Sequence, residues 1–457
     1  MSADCEAAVT PAALEVAATR NACKLCTPLG ACVAFAGVEG SRTVLHGSQG
    51  CATYIRRYMI SHFKEPIDIA SSSFAEETTI FGGRDNLLKS LANVTRQYHP
   101  AMIGIATTCL AETIGEDPAM HLRGLPDDGL VSAPIVHVST PSYCGSHADG
   151  YVAAVRAMVA QLAERGSPAE HVNLFAPMCS PADLRYLKEI VREFQLPHTL
   201  LPDYSETLDG TTWREYHLIP PGGTKVDDIR RTGSARASIE FTHVASASET
   251  GAAWLEEACS VPRHRLSPPI GVRKTDELFH TLESITGRCT PAPHAAERGR
   301  LLDSLVDGHK YVSGRRAAVV GDEDLVIGLA VFLAELGITP VVCGSGGSSG
   351  RLRTAVKSEI PDKAAEIAVC QASDYLEIEE EVRSRRPDLI VGSSKAYGLA
   401  RKLNVPLIRV GFPIHDRIDG NRTLHFGYRG AQQLFDRIAN ALIESKQDSS
   451  TVGYAYM

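Results

Sequence analysis

The stretch RRAAVVGDEDLVIGLAVFLAELGITPVVCGSGGSSG, residues 315–350, decides the fold class. It sets a β-rich apolar run, AAVVGDED (317–324), a helix-length apolar segment and a second such run, TPVVCGSGGSSG (339–350), in succession. Runs apolar on both faces need cover on both sides, which a parallel sheet between helix layers supplies. The segment LVIGLAVFLAELG (325–337) is interrupted by Glu335 and falls short of the roughly 20 residues that cross a bilayer. It therefore reads as a buried helix, and no membrane span is predicted.

Downstream the alternation continues through AEIAVCQAS, DLIVGSS and PLIRVGFP, each separated by a helical pattern, which predicts a self-contained doubly wound domain. Upstream, AMIGIATTC (101–109), PIVHVSTPSY (134–143) and VNLFAPM (172–178) read as further strands of the same kind. SPADLRYLKEIVREF, from Ser180, carries an N-cap serine, a first-turn proline and apolar Leu184, Leu187, Ile190 and Val191 at helical spacing. A chain of 457 residues exceeds what one core supports, since cores stop growing near about 250 residues. The expected division is an N-terminal α/β domain over 1–168, a middle α/β domain over 169–300, and a doubly wound domain with a C-terminal helix over 301–457. Residues 202–232 form a polar, Gly-rich loop, and no short-period repeat is present.

Composition narrows the partners. A hydrophobic content of 44% with 22% charged residues is that of a globular chain, which limits disorder to short tails. The formal net charge of -8 offers no basic excess to displace counterions from phosphates, so sequence-independent nucleic-acid binding is excluded in favour of small molecules or proteins. The N-terminal stretch has early acids and no basic region before an apolar core, so it is not a secretory signal, and a cytoplasmic location is expected. There, twelve cysteines would stay reduced, as buried thiols or metal ligands.

Three of them stand out: Cys26 in CKLCTPLGAC, Cys51 in HGSQGC and Cys109 in ATTCLAET. Each lies in a turn or at the C-terminal end of a predicted strand, where open α/β sheets gather ligands. The strand-to-helix turn at Cys109 is expected to stabilise thiolate, the form that binds iron. Separations of 25 and 58 residues match neither zinc ribbons nor bacterial ferredoxins, so spacing alone does not establish a metal site. Cys23 and Cys26 make a C-x-x-C that fits a redox pair, half a zinc site, or neither. Cys32, Cys179, Cys259, Cys289, Cys343 and Cys370 read mostly as small buried hydrophobes.

The segment running from CTPLGAC through HGSQGCATYIRRYMISHFKEPIDIASSSFAEETTIFGG, then ATTCLAETIGED and STPSYCGSH, resembles the β-type chain of the nitrogenase component 1 family. ERGRLLDSLVDGHKYVSGRRAAVVGDEDLVIGL, PDLIVGSS and VPLIRVGFPIHDR keep the family order, so the resemblance covers nearly the whole chain. It implies three Rossmann-like domains, with parallel sheets flanked by helices, and an α-type partner chain in an α2β2 heterotetramer. An ATP-hydrolysing iron protein is the implied transient partner. The resemblance further implies an iron–sulfur cluster at the α/β boundary. Cys26, Cys51 and Cys109 match this chain's cluster cysteines. Three thiolates leave an ordinary cubane one ligand short, which a second polypeptide would complete. The eight-iron P-cluster type would take three thiolates from each chain, and a four-iron cubane is the alternative. In HGSQGC, Gly47 and Gly50 would let backbone approach the cluster and donate amides to sulfur.

Ser142 in STPSY matches the position whose oxygen joins an oxidised cluster in the family, with Cys144 an extra thiol nearby. Phe81 in TTIFGG matches the aromatic between the cluster and the iron-protein docking surface. His46 and His62 are read as hydrogen-bonded histidines rather than iron ligands. Glu76 and Glu77 read as a solvated or capping face. The 344–350 loop lacks the Gly-Lys-Ser/Thr of a phosphate-binding loop, so no ATP site is assigned to it. The catalytic cofactor belongs to the α-type chain in the family, and no catalytic residue is expected in this chain; His415 is the one residue that tempts otherwise.

The leading reading is a nitrogenase-like reductase β subunit. The chain starts without the long extension of molybdenum-type β chains, and HGSQGCATYIRRYMISHFKEPIDIASSS departs in detail from dinitrogen reducers. It looks closer to methylthio-alkane reductase, which cleaves carbon–sulfur bonds in small thioethers. The alternative is the β-like half of the cofactor-assembly scaffold, against which the full cysteine set argues. Dinitrogen reduction itself and a tetrapyrrole-reducing relative stand behind these.

Overall fold

The computed structural model describes residues 22–123 and 131–452. Among them, three sheets form, every strand pairing parallel to its neighbours. The first contains β1 (Ser41–His46), β2 (Ala70–Ser71), β3 (Met102–Thr107) and β4 (Ile135–Val138), in the spatial order β2-β1-β3-β4. The second contains β5 (Val172–Phe175), β6 (His198–Leu200), β7 (Ala237–Phe241) and β8 (Arg263–Leu266), ordered β6-β5-β7-β8. The third contains β9 (Arg316–Val320), β10 (Thr339–Gly344), β11 (Ala368–Cys370), β12 (Leu389–Gly392) and β13 (Leu407–Arg409), ordered β11-β10-β9-β12-β13. In each sheet the chain winds to one side of the first strand and then to the other. That leaves a crevice where the order reverses, at the carboxyl ends of two adjacent strands.

The expected strands form because their runs are buried throughout: β3, β5 and β12 expose no residue on either face. The helix spanning Glu323–Glu335 buries Val326 through Leu333, as its apolar run demands. Among the described residues no helix is long and apolar enough to cross a membrane.

The helices that position the site are α1 (Thr27–Ala36), α2 (Gln49–Phe63), α3 (Glu76–Phe81), α4 (Arg84–Tyr98), α5 (Cys109–Thr113), α6 (Pro118–Leu122), α7 (His147–Leu162) and, in the second unit, α8 (Pro181–Glu193). Ser180 caps α8 by accepting from the Asp183 N–H at 3.1 Å, and Leu184, Leu187, Ile190 and Val191 are all buried. α1 is buried from Thr27 to Phe35 against α7. Their backbones touch: a Cβ on Gly30 would fall 1.7 Å from His147 O, and one on Gly150 would fall 1.9 Å from Thr27 O.

Two buried polar clamps join the units. His62 of α2 accepts at Nδ1 from the Ile414 N–H at 2.9 Å. Asp183 of α8 accepts from the N–H groups of His425 and Phe426 at 2.7 and 2.9 Å, just before the long helix Gly427–Asp448. The segment 202–232, expected as a loop throughout, ends in a short helix, Val226–Arg231, whose first turn carries Asp227 and Asp228 and whose last carries Arg230 and Arg231; its irregular part is pinned to the end of α1 by the Thr224 N–H, which donates to Gly37 O at 2.9 Å.

Candidate metal centre

β1 and β3 flank the crevice of the first sheet, paired in register from Ser41↔Met102 to His46↔Thr107. Their carboxyl ends lead into the turns that carry Cys51 and Cys109. After β1 the chain turns at Gly47 and Ser48 into α2, with Cys51 in its first turn and the Ser48 hydroxyl 3.6 Å from the Cys51 Sγ. After β3, Thr108 stands at the N-cap position of α5, whose first residue is Cys109. The Thr108 N–H donates to His46 O at 3.1 Å, which locks the two turns side by side.

Cys26 arrives from elsewhere. The segment 22–25 lies across the crevice of the third sheet, where Lys395 Nζ donates to Ala22 O at 3.0 Å. Cys23 packs there under Gly346, whose Cβ would fall 2.8 Å from the Cys23 carbonyl carbon. Cys26 then stands at the N-cap position of α1. Thr27 ties it to the loop that holds Ser142, its hydroxyl donating to Cys144 O at 2.8 Å. Half-buried Ser142 sits in the turn between these anchors.

The electrostatics of Cys109 follow from this placement. Burial pushes the Cys109 thiol pKa up, and the sulfurs of Cys51 and Cys26 push it further. The thiols of Cys26 and Cys51, far from Cys109 in the chain, thus lie near enough to act on it. This corrects the expectation that the helix N-terminus would leave Cys109 readily ionised: the N–H groups of Leu110 and Cys109 favour thiolate, but burial and the neighbouring sulfurs outweigh them. Adjacent thiolates repel, and a bound cation reverses that sign.

The two glycines of HGSQGC do different work. A Cβ on Gly47 would lie 1.9 Å from the Thr108 Oγ1, so Gly47 is required by packing between the two turns rather than by room for a ligand. Gly50 is exposed, and its nearest neighbour would be the Ser48 Oγ at 3.9 Å, which leaves open space beside Cys51. Three convergent soft donors with free space in front of them fit an iron–sulfur group.

Phe81 ends α3 with 85% of its surface exposed, next to Ile80. The following turn rests on the chain after Cys109, where the Gly83 N–H donates to Glu116 Oε1 at 2.7 Å. Glu76 and Glu77 are exposed in the first turn of α3. His415 is exposed. Cys23 is set apart from Cys26: burial pushes its pKa up to about 12, with Tyr375 and Gly346 as hydrogen-bond partners. Cys32 and Cys343 are buried as expected, Cys179, Cys259 and Cys370 are half-buried, and Cys289 is exposed, contrary to its reading as a core thiol.

Sequence reading missed Lys395, whose ammonium acts on both Cys23 and Cys26. The signal was available, since SSK (393–395) directly follows β12, a strand at the crevice of the third sheet.

A separate cavity lies where the three units meet, lined by Tyr151, Phe175, Met178, Glu240, Phe241 and Phe412. None of the three convergent cysteines lines it.

Three Rossmann-like units in one chain, with thiols placed at the carboxyl ends of two adjacent strands and at the start of α1, make the kind of scaffold on which an oxidoreductase can hold a redox group. The chain belongs to the nitrogenase component 1 type oxidoreductases, whose family model matches residues 26–443, and within it to the β-type chains. It is 34% identical over 435 residues to the nitrogenase molybdenum-iron protein beta chain of Clostridium pasteurianum, covering 94% of both chains. The corresponding chain of Methanothermobacter marburgensis is 32% identical, with 92% of this chain and 93% of that one covered. A solved chain of nitrogenase Cp1 at pH 6.5 superimposes with a TM-score of 0.92 at 33% identity, covering 95% of this chain and 96% of that one. A chain of nitrogenase Cp1 at pH 5 shares the fold at a TM-score of 0.70 and 14% identity, covering 96% of this chain and 92% of that one.

Proposed function

We propose that this chain is the β-type subunit of a nitrogenase-like reductase in which Cys26, Cys51 and Cys109 hold half of an iron–sulfur cluster shared with an α-type chain in an α2β2 assembly. When bound, such a cluster supplies one-electron redox chemistry between an ATP-hydrolysing iron protein and a cofactor in the α-type chain. The observation that carries this reading is the placement of Cys51 and Cys109 in adjoining turns at the carboxyl ends of paired β1 and β3, with Cys26 near enough to act on Cys109.

The chain's own residues hold and tune. β1 and β3 fix the spacing of two thiols through paired backbone, and Lys395 places positive charge near the third. N–H groups at the start of α5 point at the sulfur of Cys109, the kind of contact that sets a cluster's potential. Ser142 waits in the loop tied to Thr27, as an oxygen donor for an oxidised cluster, and Phe81 offers an exposed aromatic for the iron protein.

Copurification with the α-type chain, iron counting and electron paramagnetic resonance test the assignment. Eight irons at the interface support a reductase, and a four-iron cubane supports the assembly scaffold. Cys109→Ala should remove cluster and activity together while the third sheet stays folded. Wild-type iron in that variant would overturn the reading. For the substrate we favour small thioethers, on the departures within HGSQGCATYIRRYMISHFKEPIDIASSS. Release of the alkane from a methylthio-alkane supports it, and ammonia from dinitrogen with no such release refutes it.

A further inference from the structure

Beside the thiols, and sharing no atom with them, His46, Glu116 and His121 converge. The Oε2 of Glu116 lies 3.1 Å from the Nε2 of His46 and 2.8 Å from the Nε2 of His121. All three ligand atoms lie within 4.8 Å of one another. The side chains are buried, with relative exposures of 0% for His46, 6% for Glu116 and 9% for His121. We propose that these three residues form a mononuclear site for a divalent transition metal, with Zn2+ the ion its donor set suits best.

The chemistry of the donors argues for it. Two imidazole nitrogens and one carboxylate oxygen are a zinc set. Bonds of about 2.0–2.2 Å from zinc to nitrogen and oxygen put neighbouring tetrahedral donors roughly 3.3 Å apart. The two carboxylate–imidazole separations, 3.1 and 2.8 Å, are within about half an ångström of that, and the two imidazole nitrogens, within 4.8 Å of each other, would close on the ion by up to about 1.5 Å.

The far side of two ligands is already held, as ligands generally are. His46 Nδ1 is 3.1 Å from the Ser72 Oγ, and the ring stands edge-on to Phe74 with centroids 4.8 Å apart. Glu116 Oε1 accepts from the Gly83 N–H, which leaves Oε2 to face both histidines. Burial lowers the His46 pKa and keeps its imidazole neutral, the form that ligates. Burial works against an ionised Glu116, but the Gly83 N–H and the two imidazoles outweigh it and hold the carboxyl below its ordinary range. Among the described residues the site offers three protein ligands, so a fourth position is left for water.

The placement gives such an ion a task. His46 ends β1 immediately before the turn to Cys51, while Glu116 and His121 follow the helix that begins with Cys109. A metal there would staple the two turns that carry Cys51 and Cys109. The inference stands independently of the cluster reading, because none of its ligands is a thiol. Its rival is a metal-free arrangement in which both imidazoles donate Nε2–H to the shared oxygen.

Elemental analysis of the purified heterotetramer decides between them. Wild type and Cys109→Ala should both carry one zinc-class ion per β-type chain in addition to any iron, and His121→Phe and Glu116→Gln should each lose it. As a second measurement, a chain with Cys26→Ser, Cys51→Ser and Cys109→Ala is stripped with chelator and titrated with Co2+. It should bind one ion with the visible absorption of tetrahedral cobalt, and adding His121→Phe should abolish that absorption. Absence of a stoichiometric ion from the wild-type complex, with no cobalt uptake by the stripped chain, would overturn the proposal in favour of the shared protons. Equal uptake with and without His121 would overturn it as well, by placing the ion elsewhere.

Discussion

Adding one methyl group at Gly50 separates the needs of the polypeptide from those of the group it is proposed to hold. Gly50 lies within α2, and its added Cβ would meet nothing nearer than the Ser48 Oγ at 3.9 Å, an ordinary contact. Glycine inside a helix costs about 0.5–1 kcal/mol relative to alanine. The cluster-free chain carrying Gly50→Ala should therefore match or exceed wild-type stability by up to that amount in urea denaturation. The loaded protein should respond oppositely. A methyl group forced against a closely packed neighbour costs about 1–3 kcal/mol, which corresponds to roughly a 5- to 150-fold loss in retention of the bound group. Iron per heterotetramer, measured after parallel purification, reads that loss. Gly47→Ala is the contrast: its Cβ would fall 1.9 Å from the Thr108 Oγ1, so the cluster-free chain itself should lose stability. Full iron content and an unchanged reduction potential in Gly50→Ala would refute the claim that the space beside Cys51 is occupied. A destabilised cluster-free chain would refute the claim that the space is open.

Asp183→Ala removes the acceptor of two backbone N–H groups and of His425 Nδ1 at 3.0 Å, at a position only 1% exposed. It should cost about 3–5 kcal/mol in denaturant unfolding, and a loss under about 1 kcal/mol would show that this clamp does not hold the last helix. His62 is held far below the ordinary histidine range, at about 3, by burial first and the Lys64 charge second. Because its folded pKa is depressed, its contribution is complete above about pH 6.5 and is lost as pH falls from there toward 3, on the order of 5 kcal/mol in all. His62→Gln keeps an acceptor for the Ile414 N–H but does not titrate, so between pH 6.5 and 5 its stability should fall less steeply than that of wild type, by up to about 1.4 kcal/mol per pH unit. Parallel decline of the two proteins would remove His62 from the account.

Most of the architecture could be read along the chain because its causes are local. Strands apolar on both faces, helices with a capped start and a single apolar stripe, and glycines between them identify parallel α/β units without any knowledge of their partners in space. The α8 helix shows this: Ser180, Pro181 and the spacing from Leu184 to Val191 announce its start and its buried face, and both appear as written. The candidate cysteines were legible in the same way, from their places at the ends of strands and in turns.

Convergence was not legible, since separations of 25 and 58 residues carry no metal signature. What brings Cys51 and Cys109 together is the reversal of strand order between β1 and β3, and what adds Cys26 is a segment laid across the third sheet. The roles of Gly47 and Gly50, alike in sequence, were divided by a single neighbour, Thr108. The meeting of His46, Glu116 and His121 likewise depends on packing between two adjacent turns. Periodicity and capping report what each segment prefers by itself, whereas distances between side chains far apart in the chain are set by sheet order and close packing, which no segment encodes alone.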